Sequence, residues 1–218
     1  MLEAIDPSTE CPVKNAGFSV TEDELSILCS ILNTTPAEIG GAEYDLDANV
    51  VDDIIRRFAV GFDPRGLPVR LRPHLKSDDL PYRIHTGCEL ALMLAGTKPL
   101  AYFSGRYPSN PDVEEIPDRL FDPWVAKGHF VKREYIELLR DAAGRGWQRG
   151  LGIRIVLYAL REQAWRIEAF ILLLNTAAKA GWNEGFERMQ GSLLGYEEWQ
   201  NDIFIEEIFR PALRKRMA

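Results

Sequence analysis

Apolar residues recur at helical spacing in three stretches near the start of the chain. Leu25, Leu28, Cys29 and Leu32 follow Thr21 and Glu24, which stand in capping-box spacing. Thr35, Pro36 and Glu38 repeat the start signal, and Gly40-Gly41 supplies a stop. Val50, Val51, Ile54, Ile55 and Phe58 form a third stripe. The pattern predicts a helical subdomain over residues 1–60, with disorder confined to the first dozen residues and the last few of the chain.

The period changes in the stretch YRIHTGCELALMLAG, residues 82–96. Tyr82 to Ile84 alternates as a strand does, whereas ELALMLA consists of strong helix formers. Thr86 and Glu89 have capping-box spacing, and Gly96 stands where a helix C-cap belongs. A strand turning at HTG into a helix that ends near Ala95 is therefore expected; a continuous strand to Met93 is the alternative. After Pro99, LAYFS reads as a strand. Asp122-Pro123 followed by Gly128 predicts a single helical turn, and HFVK (129–132) a short strand. Tyr135, Ile136, Leu139 and Ala143 give a helical stripe closed by Gly144, and residues 144–152 a flexible loop.

IRIVLYA (153–159) is rich in β-branched residues and reads as a strand. Beyond it, AWRIEAF alternates, but LREQ lacks the Gly or Asn of a tight hairpin. Ile167, Phe170, Ile171, Leu174 and Ala178 keep helical spacing, so a helix capped by Gly181 is preferred. Phe186, Met189, Leu193, Tyr196 and Ile203 continue at that spacing beyond Asn183, a good N-cap. Gly185, Gly191 and Gly195 each cost roughly 1 kcal/mol relative to Ala in such a helix, so packing must hold it. No proline falls between residues 124 and 210, which leaves the last third free to be mostly helical. The fold class is α+β: a small mixed sheet packed with several helices, divided into an acidic helical subdomain (1–60) and an α+β domain (61–218).

Charge sharpens this division. Residues 1–60 hold twelve acids against Lys14, Arg56 and Arg57, a balance of −9 within a total of −7, so the remainder carries +2. The three-helix start has the outline of a DNA-reading motif, but an acidic face does not suit duplex DNA. It suits a basic partner or the protein's own basic segments. Apolar runs such as LALMLA and AFILLL are too short to cross a bilayer, which takes about 18 residues. The acidic start lacks the order of a signal peptide, and a cytoplasmic protein with no membrane partner is expected. Cys11, Cys29 and Cys88 are odd in number and widely spaced, so neither a disulfide framework nor a structural zinc site is expected; Cys29 and Cys88 read as small buried hydrophobes.

Three places can carry chemistry. At the HTG turn, backbone donors near Gly87 and Cys88 would open a helix and favour an anion, Thr86 offers a hydroxyl, Arg83 adds positive charge, and His85 is an acid or base with a pKa near neutrality. The plain alternative is a histidine bonded to backbone at an ordinary junction. In RGWQRG, Arg145, Trp147 and Arg149 between glycines suit stacking and pairing with a nucleotide or a single strand, although the Walker ending is absent and a solvated loop explains the same residues. The C-terminal stripe with Trp182 and Trp199 is core or partner groove, and the acids opposite it, Glu184, Glu187, Glu197, Glu198 and Asp202, read as a solvated face. No GxSxG occurs, a Cys88–His85 pair has too apolar a setting, and His74, His85 and His129 are too dispersed to predict a metal site. No cofactor is expected. Two functions remain: a regulatory or partner-binding protein, and a small enzyme or ligand-binding protein taking a phosphate- or carboxylate-bearing molecule at His85-Thr86-Gly87.

Overall fold

The computed structural model describes residues 1–40, 42–110, 113–140 and 147–217. It is an α+β protein that divides into two compact units, Met1–Cys88 and Glu89–Ala218. Residues 61–88, expected with the second domain, therefore belong with the first.

In the first unit β1 (Leu2–Ile5), β2 (Pro12–Ala16), β3 (Tyr44–Leu46) and β4 (Val69–Leu71) form an antiparallel sheet in the order β2-β1-β4-β3. The helices α1 (Glu22–Leu32), α2 (Pro36–Ile39) and α3 (Ala48–Arg57) appear where the periodicity placed them. Thr21 and Glu24 close the capping box on α1, with the Thr21 amide donating to Glu24 Oε2 at 2.8 Å. Leu2 and Ala4 of β1 and Val69 and Leu71 of β4 share a core with Leu28 of α1 and Val51 and Ile54 of α3. Strand alternation then turns Glu3 and Arg70 to the opposite face.

The second unit has a three-stranded antiparallel sheet of β5 (Leu100–Tyr107), β6 (Phe130–Arg140) and β7 (Trp147–Leu160), in the order β5-β7-β6. On one face Val156 and Tyr158 pack with Leu90 and Met93 of α4 (Glu89–Leu94) and Phe121 of α5 (Asp118–Ala126). On the other, Leu157 and Ala159 pack with Ile167 and Phe170 of α6 (Trp165–Ala180). Both faces of the central strand are covered, which is why IVLYA (155–159) is apolar without a break. The chain ends in α7 (Glu184–Leu194), α8 (Glu198–Phe204), a wider turn over Ile205–Phe209, and α9 (Arg210–Met217).

Several expectations are corrected. The first dozen residues hold β1, which is buried throughout and flanked by β2 and β4, so the subdomain is not purely helical. Tyr82–Ile84 is not a strand: it follows Pro81 and runs irregularly. The helix predicted over Tyr135–Ala143 is strand β6 as far as Arg140, because pairing with β7 outweighs a local spacing that also fits a strand; residues 141–146 lie outside the described residues. Residues 147–152, expected in a loop, open β7. The turn at Asp122-Pro123 belongs to a longer helix, α5, which starts at Asp118 and keeps Pro123 inside it. The helix after Asn183 stops at Gly195, whose φ of 94° ends α7, and α8 begins anew. Cys11 and Cys88 form a disulfide despite their distance in sequence, their Cα atoms being 4.4 Å apart, while Cys29 is free and buried.

Candidate functional site

The polar face of the first sheet is where charge collects. Glu3 on β1 is 4% exposed, and a buried carboxylate requires a partner. Arg72, just beyond β4, provides it at 2.9 Å and also grips Asp78 in a two-pronged pair at 2.7 and 2.9 Å. The bond to Asp78 holds the Arg72 guanidinium well above its ordinary range, and the same bond draws the Asp78 carboxyl down. Asp78 also accepts the Leu75 amide at 2.7 Å, fixing the turn that begins the segment Leu75–Gly87. Arg70 is paired with Glu43 at 3.2 Å and Asp45 at 3.0 Å. The acidic front is thus matched by bases of β4 and its flank.

Between this face and that segment lies a cleft of about 600 Å³, within the size range of small-molecule sites. Its walls include Glu3, Arg70 and Arg72 from the sheet and Arg83, Thr86 and Gly87 from the segment. Arg83 is exposed, and its Nη2 donates to the Pro12 carbonyl at 2.6 Å; among the described residues no carboxylate pairs with it. Thr86 is exposed, and Gly87 has φ 77° with open space where a Cβ would stand. The Cys11–Cys88 bridge joins the neighbours of two wall residues, Pro12 and Gly87. Arg83 and Thr86 give one part of the cleft a cation and a hydroxyl, and Glu10 and Glu43 stand elsewhere on its walls.

The structure brings Arg83, Thr86 and Gly87 of the predicted site to this cleft, but His85 is not among its walls. The helix-terminus part of the expectation fails. The Cys88 amide donates to the His85 carbonyl at 2.9 Å, and α4 is only six residues long. Arg145 lies outside the described residues, and Trp147 and Arg149 belong to β7 rather than to a loop. Glu3, Arg70, Arg72 and Asp78 were missed. The alternation in VRLR, residues 69–72, was the available signal for a strand with one basic face.

Two other charged groups stand out in the second unit. Asp118 receives Tyr158 Oη at 2.6 Å, Lys132 Nζ at 2.9 Å and Arg154 Nη1 at 2.6 Å. Burial works against its ionisation, yet these hydrogen bonds prevail and hold it at about 2. Arg154 also grips Glu134, so the network fastens α5 to β6 and β7. Lys98 is 3% exposed, and burial lowers its ammonium to about 8. Its Nζ donates to the Leu194 carbonyl at the end of α7 at 3.4 Å and lies 5.8 Å from the Tyr196 ring centre.

His74 pairs with Asp79 at 2.8 Å, and the ring of His129 meets Trp124. Among the described residues no group of three potential metal ligands forms, and no helix is long and apolar enough to cross a membrane. Compared with protein families, curated proteins and solved structures, the chain matches none.

Proposed function

We propose that the Met1–Cys88 unit binds a small molecule carrying a carboxylate or phosphate. The observation that carries this reading is Arg83. It stands in the wall of a ligand-sized cleft and among the described residues is held by a backbone carbonyl and no carboxylate, whereas Arg70 and Arg72 are neutralised by carboxylates. An incoming anion would meet a guanidinium already oriented by Pro12, with the Thr86 hydroxyl on the same wall. The ion pairs of Arg72 serve as a rigid support for that wall.

Titration calorimetry against a panel of zwitterions, simple carboxylates and phosphate monoesters tests it. At least one class binds the native chain, and Arg83→Met weakens that binding by about tenfold, the loss of one charge-assisted contact. If no class binds, or if the variant binds as tightly as the native chain, the cleft is not this site.

A second reading, a partner-binding protein, is favoured by α6, where Trp165 is 58% and Leu172 68% exposed. Aromatic side chains left in water commonly anchor interfaces. That reading fails if native extract yields no stoichiometric partner at low and at moderate salt.

A further inference from the structure

Strand β6 is one of the two outer strands of its sheet: β7 lies on one side of it, and among the described residues no strand lies on the other. An edge with free N–H and C=O groups is a template for another strand. Natural edges are usually blunted by proline or a bulge. Here no proline interrupts Phe130–Arg140, and the irregularity in pairing falls only between Leu138 and Arg140. Lys132, which would otherwise guard the edge, is drawn to Asp118 and Asp122 at 2.9 and 2.7 Å.

We infer that two copies of this chain associate through the β6 edges, antiparallel and centred on Tyr135, so that Arg133 of each copy faces Glu137 of the other. The register follows from symmetry and charge. A two-fold axis perpendicular to the sheet keeps every side chain on its own face, so opposed positions share parity. Centring on Arg133 or on Glu134 sets that residue against its own copy, like charge against like. Centring on Ile136 sets Lys132 against Arg140 of the other copy, like charge against like. Centring on Tyr135 opposes Arg133 and Glu137 twice and sets no like charges together. Both residues are exposed, and neither forms an ion pair with another described residue. On the other face, this register lays the Lys132 stem over the partner's Leu138 and sets Glu134 opposite the partner's Ile136. Leu138 and Ile136 are otherwise left in water within this chain. The product is a continuous six-stranded antiparallel sheet.

Sedimentation velocity on the full chain, with circular dichroism as the check on folding, tests the pairing. The native chain sediments as a dimer. Arg133→Glu faces Glu137 with a second acid, and Glu137→Arg faces Arg133 with a second base, so each variant alone weakens association by about tenfold or more. Mixed in equal amounts the two variants restore a dimer, because every opposed pair again has opposite sign. The chain carrying both substitutions dimerises by itself. A native chain that stays monomeric overturns the inference. So does a dimer that both single variants retain, or a mixture of the two folded variants that does not associate.

Discussion

A lysine ammonium shut away from water costs free energy that an apolar residue of similar length does not. Lys98 occupies such a place, and the compensation it finds, the Leu194 carbonyl and the charge of Glu89 included, offsets only part of the cost. Burial puts its native pKa at about 8, below the ordinary value of 10.5. Below the native value both folded and unfolded chains hold the proton, and the penalty is present in full. Between the two values the unfolded chain binds more protons than the folded one, so stability rises with pH across that window. Lys98→Met is expected to stabilise the second unit by on the order of 1–3 kcal/mol at neutral pH, with the gain shrinking as the solution is taken past the native pKa. Denaturant unfolding at neutral and at alkaline pH measures both, and a variant no more stable than the native chain at neutral pH contradicts the account. Nothing in the local sequence marks this residue. GTKP reads as a solvated turn, and the burial comes from α7, about a hundred residues further on.

At the scale of elements, the helices with capping signals were legible because a cap is a contact between residues three apart. Thr21, Thr35 and Asn183 each start a helix where the sequence placed one. Strand β6 was not legible, since Tyr135, Ile136 and Leu139 fit a helical spacing and only the opposed strand β7 selects the extended form. Glycine shows the same contrast within α7. By propensity Gly191→Ala should gain about 1 kcal/mol. In the fold, a Cβ on Gly191 would stand 1.9 Å from Asn201 Oδ1 and 2.9 Å from its Cγ, on a buried side chain of α8. The substitution is therefore expected to destabilise the α7–α8 pair by about 1–3 kcal/mol, as overpacking does. A thermal melt that shows Gly191→Ala equal to or above the native chain would mean that Asn201 moves aside freely.

Across the whole chain, the largest departure from expectation is the bond between Cys11 and Cys88, 77 residues apart. It encloses nearly all of the first unit, and closing a loop of that length restricts the unfolded chain by about 4 kcal/mol. Replacing both residues by serine is expected to speed amide exchange throughout Leu2–Ile5, which is otherwise buried between β2 and β4; exchange at the native rate would show that the sheet holds without the bridge. Local spacing was enough to give the α+β class, the helices that carry their own caps and the strand at 153–159, and it drew attention to Arg83, Thr86 and Gly87, which lie on the walls of one cleft. These rest on contacts within a few residues or on a period repeated along one element. Tertiary structure alone decided the inner position of β1, the strand form of β6, the cysteine bridge and the matching of Glu3 and Asp78 to Arg72. Each joins segments through space: whether a charge is buried, a strand paired or a thiol bonded depends on what the fold brings against it, and local spacing does not encode that.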